Sequence, residues 1–154
     1  MEVKNRDYSK AITLMLSKKE DIQKYAVVES QYQKIIDSFM PGKITLIFNR
    51  EDSVDSYMTN GKNTIGIRIP DSQFVLDLTS RTGPLLVTSA NISGQSITTN
   101  TKEVLEQLDG RVKLVVDGRT DSNKASTVID LTGSEINILR EGEITKKEIE
   151  EVLK

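Results

Sequence analysis

The sequence predicts a mixed α/β fold, and three observations carry that prediction. Thr64-Ile-Gly-Ile-Arg-Ile-Pro70 alternates apolar and polar positions with period two, as a strand with two unlike faces does. Glu29–Met40 and Thr101–Leu108 instead carry apolar residues at helical spacing. Between such segments lie short runs of β-formers such as Ile44-Thr-Leu-Ile-Phe48, which directly follows a Pro-Gly turn. A chain of 154 residues fits one domain with a sizeable core, so a single domain is the default.

From the N-terminus, Lys4, Arg6 and Lys10 cluster before the apolar run Ala11–Leu16, which reads as a strand. Such a cluster is either a solvated basic edge or a holder for a polyphosphate. Ser17-Lys-Lys-Glu20 matches a capping box and predicts a helix from about Lys18 into Ala26. The next helix, Glu29–Met40, turns Tyr32, Ile35, Ile36 and Phe39 to one side and stops at Pro41-Gly42. After the strand Ile44–Phe48, the polar segment Asn49–Asn63 reads as a surface excursion with a loose hairpin at Asn60-Gly61. The strand Thr64–Pro70 places Ile65, Ile67 and Ile69 on one face and Thr64, Gly66 and Arg68 on the other. A hydroxyl, a glycine and a cation on one face fit an anionic ligand or, equally, the outward face of an edge strand.

A helix from Asp71 to about Arg81 is expected to turn Phe74, Val75 and Leu78 inward. Gly83-Pro84 then leads to Leu85–Val87, read as a buried, central strand, beyond which Thr88, Ser89 and Asn91 arrive where it should end. In an open α/β sheet, ligands sit beyond the carboxyl ends of strands, although Ser, Asn and Gly are also ordinary turn formers. Thr101–Leu108 forms a helix capped by Asn100 or Thr101, and Val112–Val116 is expected to close a βαβ-like unit as a strand. Ser126–Asp130 and Ile136–Arg140 are two short strands joined at Thr132-Gly133, and Lys146–Leu153 is a last amphipathic helix.

Composition narrows the chemistry. The chain has no Cys and no His, which removes disulfides, thiolate nucleophiles, the commonest metal ligands and the usual neutral-pH proton shuttle. A net charge of −2 argues against binding nucleic acid through bulk basicity. No apolar run reaches membrane-spanning length and the first residues carry no signal core, so no membrane partner and a cytoplasmic location are expected. Neither a P-loop nor a Gly-x-Gly-x-x-Gly fingerprint is present, and a Ser-His-Asp triad is impossible. What remains near strand ends is a set of cations and hydroxyls: Lys4, Arg6, Lys10, Arg68, Thr88, Ser89, Asn91, Ser126 and Arg140. Such a set suits an anion, and it can stabilise a transferring phosphoryl group by position and charge alone.

Five ordered motifs resemble those of the YrdC-like threonylcarbamoyl-AMP synthases. They are Lys4-Asn-Arg6, Thr64-Ile-Gly-Ile-Arg-Ile-Pro70, Ser89-Ala-Asn91, Ser126-Thr-Val-Ile-Asp130 and Leu139-Arg-Glu-Gly142, and the resemblance runs to about Ile144. It implies an α/β fold with an open, twisted mixed β-sheet and flanking helices, whose concave face holds ATP and L-threonine. Bicarbonate would be the third substrate, pyrophosphate would leave, and the product would serve N6-threonylcarbamoyladenosine modification of tRNA. By the same resemblance Lys4, Arg6, Lys10, Thr64, Ser89, Asn91 and Arg140 would bind ATP, with any Mg2+ carried by its phosphates. Arg68, Thr88 and Ser126 would bind L-threonine, an arginine opposite a carboxylate. No residue is assigned a catalytic or metal-ligating role. Implied partners are tRNA-modifying proteins, with weak RNA binding an open question.

The chain departs from the family pattern at Lys10-Ala11-Ile12, where Lys-Pro-Leu is usual, and at Pro41-Gly42-Lys43, where Pro-Gly-Pro is usual. It also lacks the usual opening Pro-Thr-Asp-Thr-x-Tyr-Gly segment, so residues 1–154 are expected to be a YrdC-like domain that is N-terminally truncated or reduced. The competing class is a nucleotide- or RNA-binding module of the same fold that does not turn over.

Overall fold

The structure is a computed structural model, and it describes residues 12–120 and 124–154. These fall into two compact units, a larger one of residues 12–87 and 126–154 and a smaller one of residues 88–120 and 124–125.

The larger unit is an open mixed sheet with helices beside it. Its strands are β1 (Thr13–Met15), β2 (Ala26–Val27), β3 (Ile44–Arg50), β4 (Thr64–Arg68), β5 (Leu85–Val87), β6 (Thr127–Asp130) and β7 (Asn137–Arg140). They run in the order β5-β1-β4-β3-β6-β7, with β2 added to β3. The pairs β1/β4 and β3/β6 are parallel, and the others are antiparallel. α1 (Gln33–Phe39) and α4 (Lys146–Leu153) pack on each other, and α2 (Gln73–Thr82) leads into β5. Ile44, Leu46 and Phe48 of β3, Ile65 and Ile67 of β4, Leu14 of β1 and Ile129 of β6 are buried together with Ile35, Ile36 and Ile149 of the two helices. Alternation therefore sorts β3 and β4 as the sequence implies. α4 begins with a capping box, Thr145 accepting from the Glu148 N–H while Glu148 accepts from Thr145.

Five local expectations fail. The segment after Ser17 forms a 3-10 helix, Lys19–Lys24, with Lys18 rather than Ser17 at its N-cap and no side-chain cap. Only Ile22 anchors it in the core, and Ala26 is already committed to β2, opposite Arg50. The helix expected over Glu29–Met40 similarly starts as a 3-10 turn, Ser30–Tyr32, before α1. α2 buries Thr79, whose Oγ1 donates to the Val75 carbonyl, and leaves Phe74 59% and Leu78 38% exposed. The apolar run Phe74-Val-Leu76 does not define a helical phase, and the packing resolves it toward Leu76 and Thr79. Among the described residues β5 is an edge strand, with Leu86 exposed, rather than a central one.

The fifth failure is Val112–Val116, which forms no strand although its residues favour one. Leu114 is 78% and Val116 58% exposed. β-propensity expresses itself through cross-strand partners, and among the described residues this segment pairs with none.

The turn into β3 rests on one glycine. Gly42 N–H donates to the Ile69 carbonyl at 2.8 Å, and a Cβ at this position would lie 2.4 Å from the Phe39 carbonyl oxygen. At Gly66 in β4 a Cβ would meet nothing nearer than Thr45 Cγ2 at 3.6 Å. Gly42→Ala is accordingly expected to cost about 1–3 kcal/mol of stability, whereas Gly66→Ala should be neutral or stabilise by up to about 1 kcal/mol through the unfolded chain. Urea unfolding followed by circular dichroism separates the two, and equal midpoints would show that the Gly42 turn relaxes freely.

Candidate functional site: a polar sheet face

Strand register decides which residues share a surface. Ile47 of β3 lies opposite Gly66 and Asn49 opposite Thr64, while Thr45 lies opposite Val128 of β6. Val128 in turn lies opposite Arg140 of β7, and Met15 of β1 opposite Arg68. Cross-strand partners point the same way. Thr45, Thr64, Gly66 and Arg68 therefore belong to the sheet face opposite the one carrying Ile65 and Ile67, and Arg140, which reaches Val128 across a register irregularity between Val128 and Ile129, joins them through its bonds to Ser126. Thr64 and Arg68 lie at the two ends of β4, about 13 Å apart at strand rise.

Hydrogen bonds hold this face in place. Arg68 Nε donates to the Gly42 carbonyl at 3.2 Å, tying the guanidinium to the Pro-Gly turn. Arg140 Nε donates to the Ser126 carbonyl at 3.0 Å and its Nη2 to Ser126 Oγ at 3.3 Å. Ser126 Oγ also bonds Thr45 Oγ1 at 3.0 Å. Two residues that the family resemblance assigns to different ligands, Ser126 and Arg140, are thus joined directly.

Behind them Thr127, fully buried, donates to the Ile144 carbonyl at 2.7 Å and accepts from the Gly142 N–H at 2.9 Å. Lys43 Nζ pairs with Glu143 at 2.7 Å, which fastens the turn before β3 to the segment after β7. Sequence reading missed Thr45, Thr127 and the Lys43–Glu143 pair. Alternation within Ile44–Phe48 would have put Thr45 on the face away from the core, but its neighbour Ser126 is distant in sequence and only the parallel β3/β6 pairing brings the two together.

In the smaller unit the polar residues after β5 form their own network. Ser89 Oγ donates to Asn91 Oδ1 at 2.6 Å, Asn91 Nδ2 donates to the Gln95 carbonyl at 2.8 Å, and Thr88 Oγ1 donates to the Ser89 carbonyl at 3.1 Å. Asn91 is buried, so its amide braces the 91–95 turn, whereas Thr88 and Ser89 are exposed. α3 (Thr101–Leu108) supports this turn through Gln107, whose Oε1 accepts from the Ile92 N–H at 2.9 Å. Asn100 caps α3. Glu103 accepts from the Thr99 N–H at 2.7 Å and also from the Thr99 hydroxyl and the Asn100 amide; these bonds, the Thr99 N–H foremost, hold its carboxyl below the usual range.

Lys4, Arg6 and Lys10 lie outside the described residues. Among the described residues no group of three or more acidic side chains is arranged to hold a metal ion, and no helix is long and apolar enough to cross a membrane. A groove lined by Leu16, Ser17, Lys18, Asp21, Thr79 and Pro84 contains none of the expected site residues.

The sequence profile of Sua5/YciO/YrdC proteins, described as "telomere recombination", matches residues 1–142. The chain belongs to that family. A putative threonylcarbamoyl-AMP synthase of Methanocaldococcus jannaschii is 36% identical over 143 residues, covering 92% of this chain and 67% of that protein. Among solved structures, Pyrococcus abyssi Sua5 complexed with L-threonine superimposes with a TM-score of 0.92 at 30% identity, over 98% of this chain and 45% of that one. Escherichia coli YciO superimposes with a TM-score of 0.85 at 26% identity, over 96% of this chain and 73% of that one. The chain thus spans less than half of the Pyrococcus Sua5 chain. The open mixed sheet with flanking helices is the fold of these Sua5 and YciO structures.

Two measurements probe how the site is held. Thr127→Val leaves the Gly142 N–H without its buried acceptor and should destabilise the protein by about 1–3 kcal/mol, read as a lowered thermal midpoint; an unchanged midpoint would mean that the Gly142 segment is not anchored there. Glu103, with its folded pKa depressed, contributes stability above the unfolded carboxylate value that is lost as pH falls through the lower folded value. The Thr99 amide resonance should shift on acidification below the usual carboxylate range, and Glu103→Gln should abolish that titration.

Proposed function

We propose that this chain carries the L-threonylcarbamoyladenylate synthase reaction: ATP, L-threonine and bicarbonate give threonylcarbamoyl-AMP, pyrophosphate and water, for N6-threonylcarbamoyladenosine modification of tRNA. Family membership supports this reading, and the observation that carries it is the single sheet face bearing Arg68 and Arg140 with hydroxyls between them. In the proposed reaction the amine of L-threonine takes up bicarbonate as a carbamate with loss of water, and a carbamate oxygen then displaces pyrophosphate from the α-phosphorus of ATP. That chemistry needs charge and alignment more than a titrating side chain, which agrees with a chain containing no His and no Cys.

Residue by residue, the reading gives Arg68, Thr88 and Ser126 to L-threonine, with the guanidinium opposite the carboxylate. Thr64, Ser89, Asn91 and Arg140 are given to ATP together with Lys4, Arg6 and Lys10. Asn91 would act through the turn it braces as well as through its exposed neighbour Ser89. None of these residues is a carboxylate, the usual protein anchor for Mg2+, so Mg2+ is proposed to arrive on ATP. Action in the cytoplasm, with tRNA-modifying proteins as partners, belongs to the same proposal.

Pyrophosphate release from ATP that requires both L-threonine and bicarbonate is the deciding experiment; binding of ATP or RNA without any release would instead favour a non-catalytic module. Arg140→Ala should weaken ATP binding by about 1.5–3 kcal/mol, the worth of a charge-assisted contact. Arg68→Ala should raise the L-threonine requirement much more than the ATP requirement. Equal losses for both substrates would assign Arg68 to the Gly42 turn alone.

A further inference from the structure

Thr45 bears no assigned role, yet it is one of the few buried polar side chains in the larger unit, 6% exposed, and it lies on the same sheet face as Arg68 and Arg140. Its hydroxyl bonds Ser126 Oγ at 3.0 Å, and that geometry lets either oxygen donate. Counting protons removes the ambiguity. Arginine carries donors and no acceptor, so in the 3.3 Å contact Arg140 Nη2 donates and Ser126 Oγ accepts. A serine oxygen has two lone pairs and one proton. If Ser126 gave its proton to Thr45, the Thr45 proton would be buried with no acceptor, since Ser126 is the residue its hydroxyl bonds among those described. The satisfied arrangement is the reverse one. Thr45 donates to Ser126, Arg140 donates to Ser126, and the Ser126 O–H is left pointing away from both.

We propose that Thr45 is a positioning residue that fixes Ser126 as an outward hydrogen-bond donor and so requires the ligand group there to be an acceptor, a carboxylate oxygen above all. The inference rests on the reading that Ser126 touches the amino acid. It goes further by naming which polarity the site selects and what enforces it. Without the Thr45 hydroxyl, Ser126 regains a free lone pair and its proton is no longer directed, so an alcohol in place of the carboxylate becomes a better competitor.

The test uses the whole chain with Thr45→Val, which keeps the shape and removes the hydroxyl, and Thr45→Ser, which keeps the hydroxyl. Calorimetry measures L-threonine, L-threoninol and ATP binding, and circular dichroism confirms folding. Thr45→Val should weaken L-threonine about tenfold, the loss of one charge-assisted hydrogen bond, narrow the preference for L-threonine over L-threoninol, and leave ATP affinity within about twofold. Thr45→Ser should restore both affinity and preference. Wild-type L-threonine binding that Thr45→Val leaves intact would overturn the role of Thr45 while sparing the proposed function. Equal loss of L-threonine and ATP would reduce Thr45 to a packing residue. Failure of the wild-type chain to bind L-threonine would remove the functional reading and this inference with it.

Discussion

The alternation of β3 is the constraint on which the larger unit depends. Ile44, Leu46 and Phe48 point into the core against Ile35, Ile36 and Ile149, so Thr45 and Ile47 must point the other way. β4 and β6 flank β3 on its two sides and are locked in register by it, which carries Thr64, Arg68 and Val128 to the same face, and a register irregularity in β6/β7 then sets Arg140 opposite Val128. A slip of one residue would exchange the two faces, burying arginines and exposing isoleucines. Burial of the apolar face therefore positions the polar one, and the Gly42 turn, bonded to both Ile69 and Arg68, sets where β3 begins.

That polar face is built from groups that keep their charge or polarity at any physiological pH. Arginine stays protonated, and hydroxyls neither gain nor lose protons, so the face presents fixed donors whose direction is set by the bonds behind them. Arg68 leans on a backbone carbonyl, and Arg140 on both the carbonyl and the hydroxyl of Ser126. Preorganisation of this kind suits a reaction whose difficulty is bringing several anionic or weakly nucleophilic groups together, rather than moving a proton. The Lys43–Glu143 pair and the Thr127 bonds fasten the segments around this face, which explains how residues remote from any motif belong to the same construction.

The legible parts of this protein were those whose pattern repeats locally. β4 is legible because Ile65, Ile67 and, just past its end, Ile69 alternate without interruption, and α4 because apolar Ile149, Val152 and Leu153 recur at three- and four-residue spacing on an otherwise charged segment. α2 was legible as a helix but not in its phase, because Phe74, Val75 and Leu76 are consecutive and any of them can lead the buried stripe. The segment after Ser17 carried a capping signal that lost to tertiary demand, since its C-terminal end is drawn into pairing with β3. Val112–Val116 shows the converse case, in which strong strand-forming residues remain irregular for want of a partner.

For the site, the sequence by itself determined the kinds of group available, cations and hydroxyls without His or Cys, and the common face of Thr64 and Arg68, because side-chain direction within one strand follows from period two. It also carried the ordered motifs by which the family is recognised. Only the tertiary structure decided that Ser126 and Arg140 are bonded to each other and that Thr45 stands behind Ser126, since a strand's neighbours are chosen by sheet order, which no local pattern encodes. It likewise decided that Leu85–Val87 is an edge among the described residues and that Asn91 braces a turn, because burial depends on what the rest of the chain places alongside.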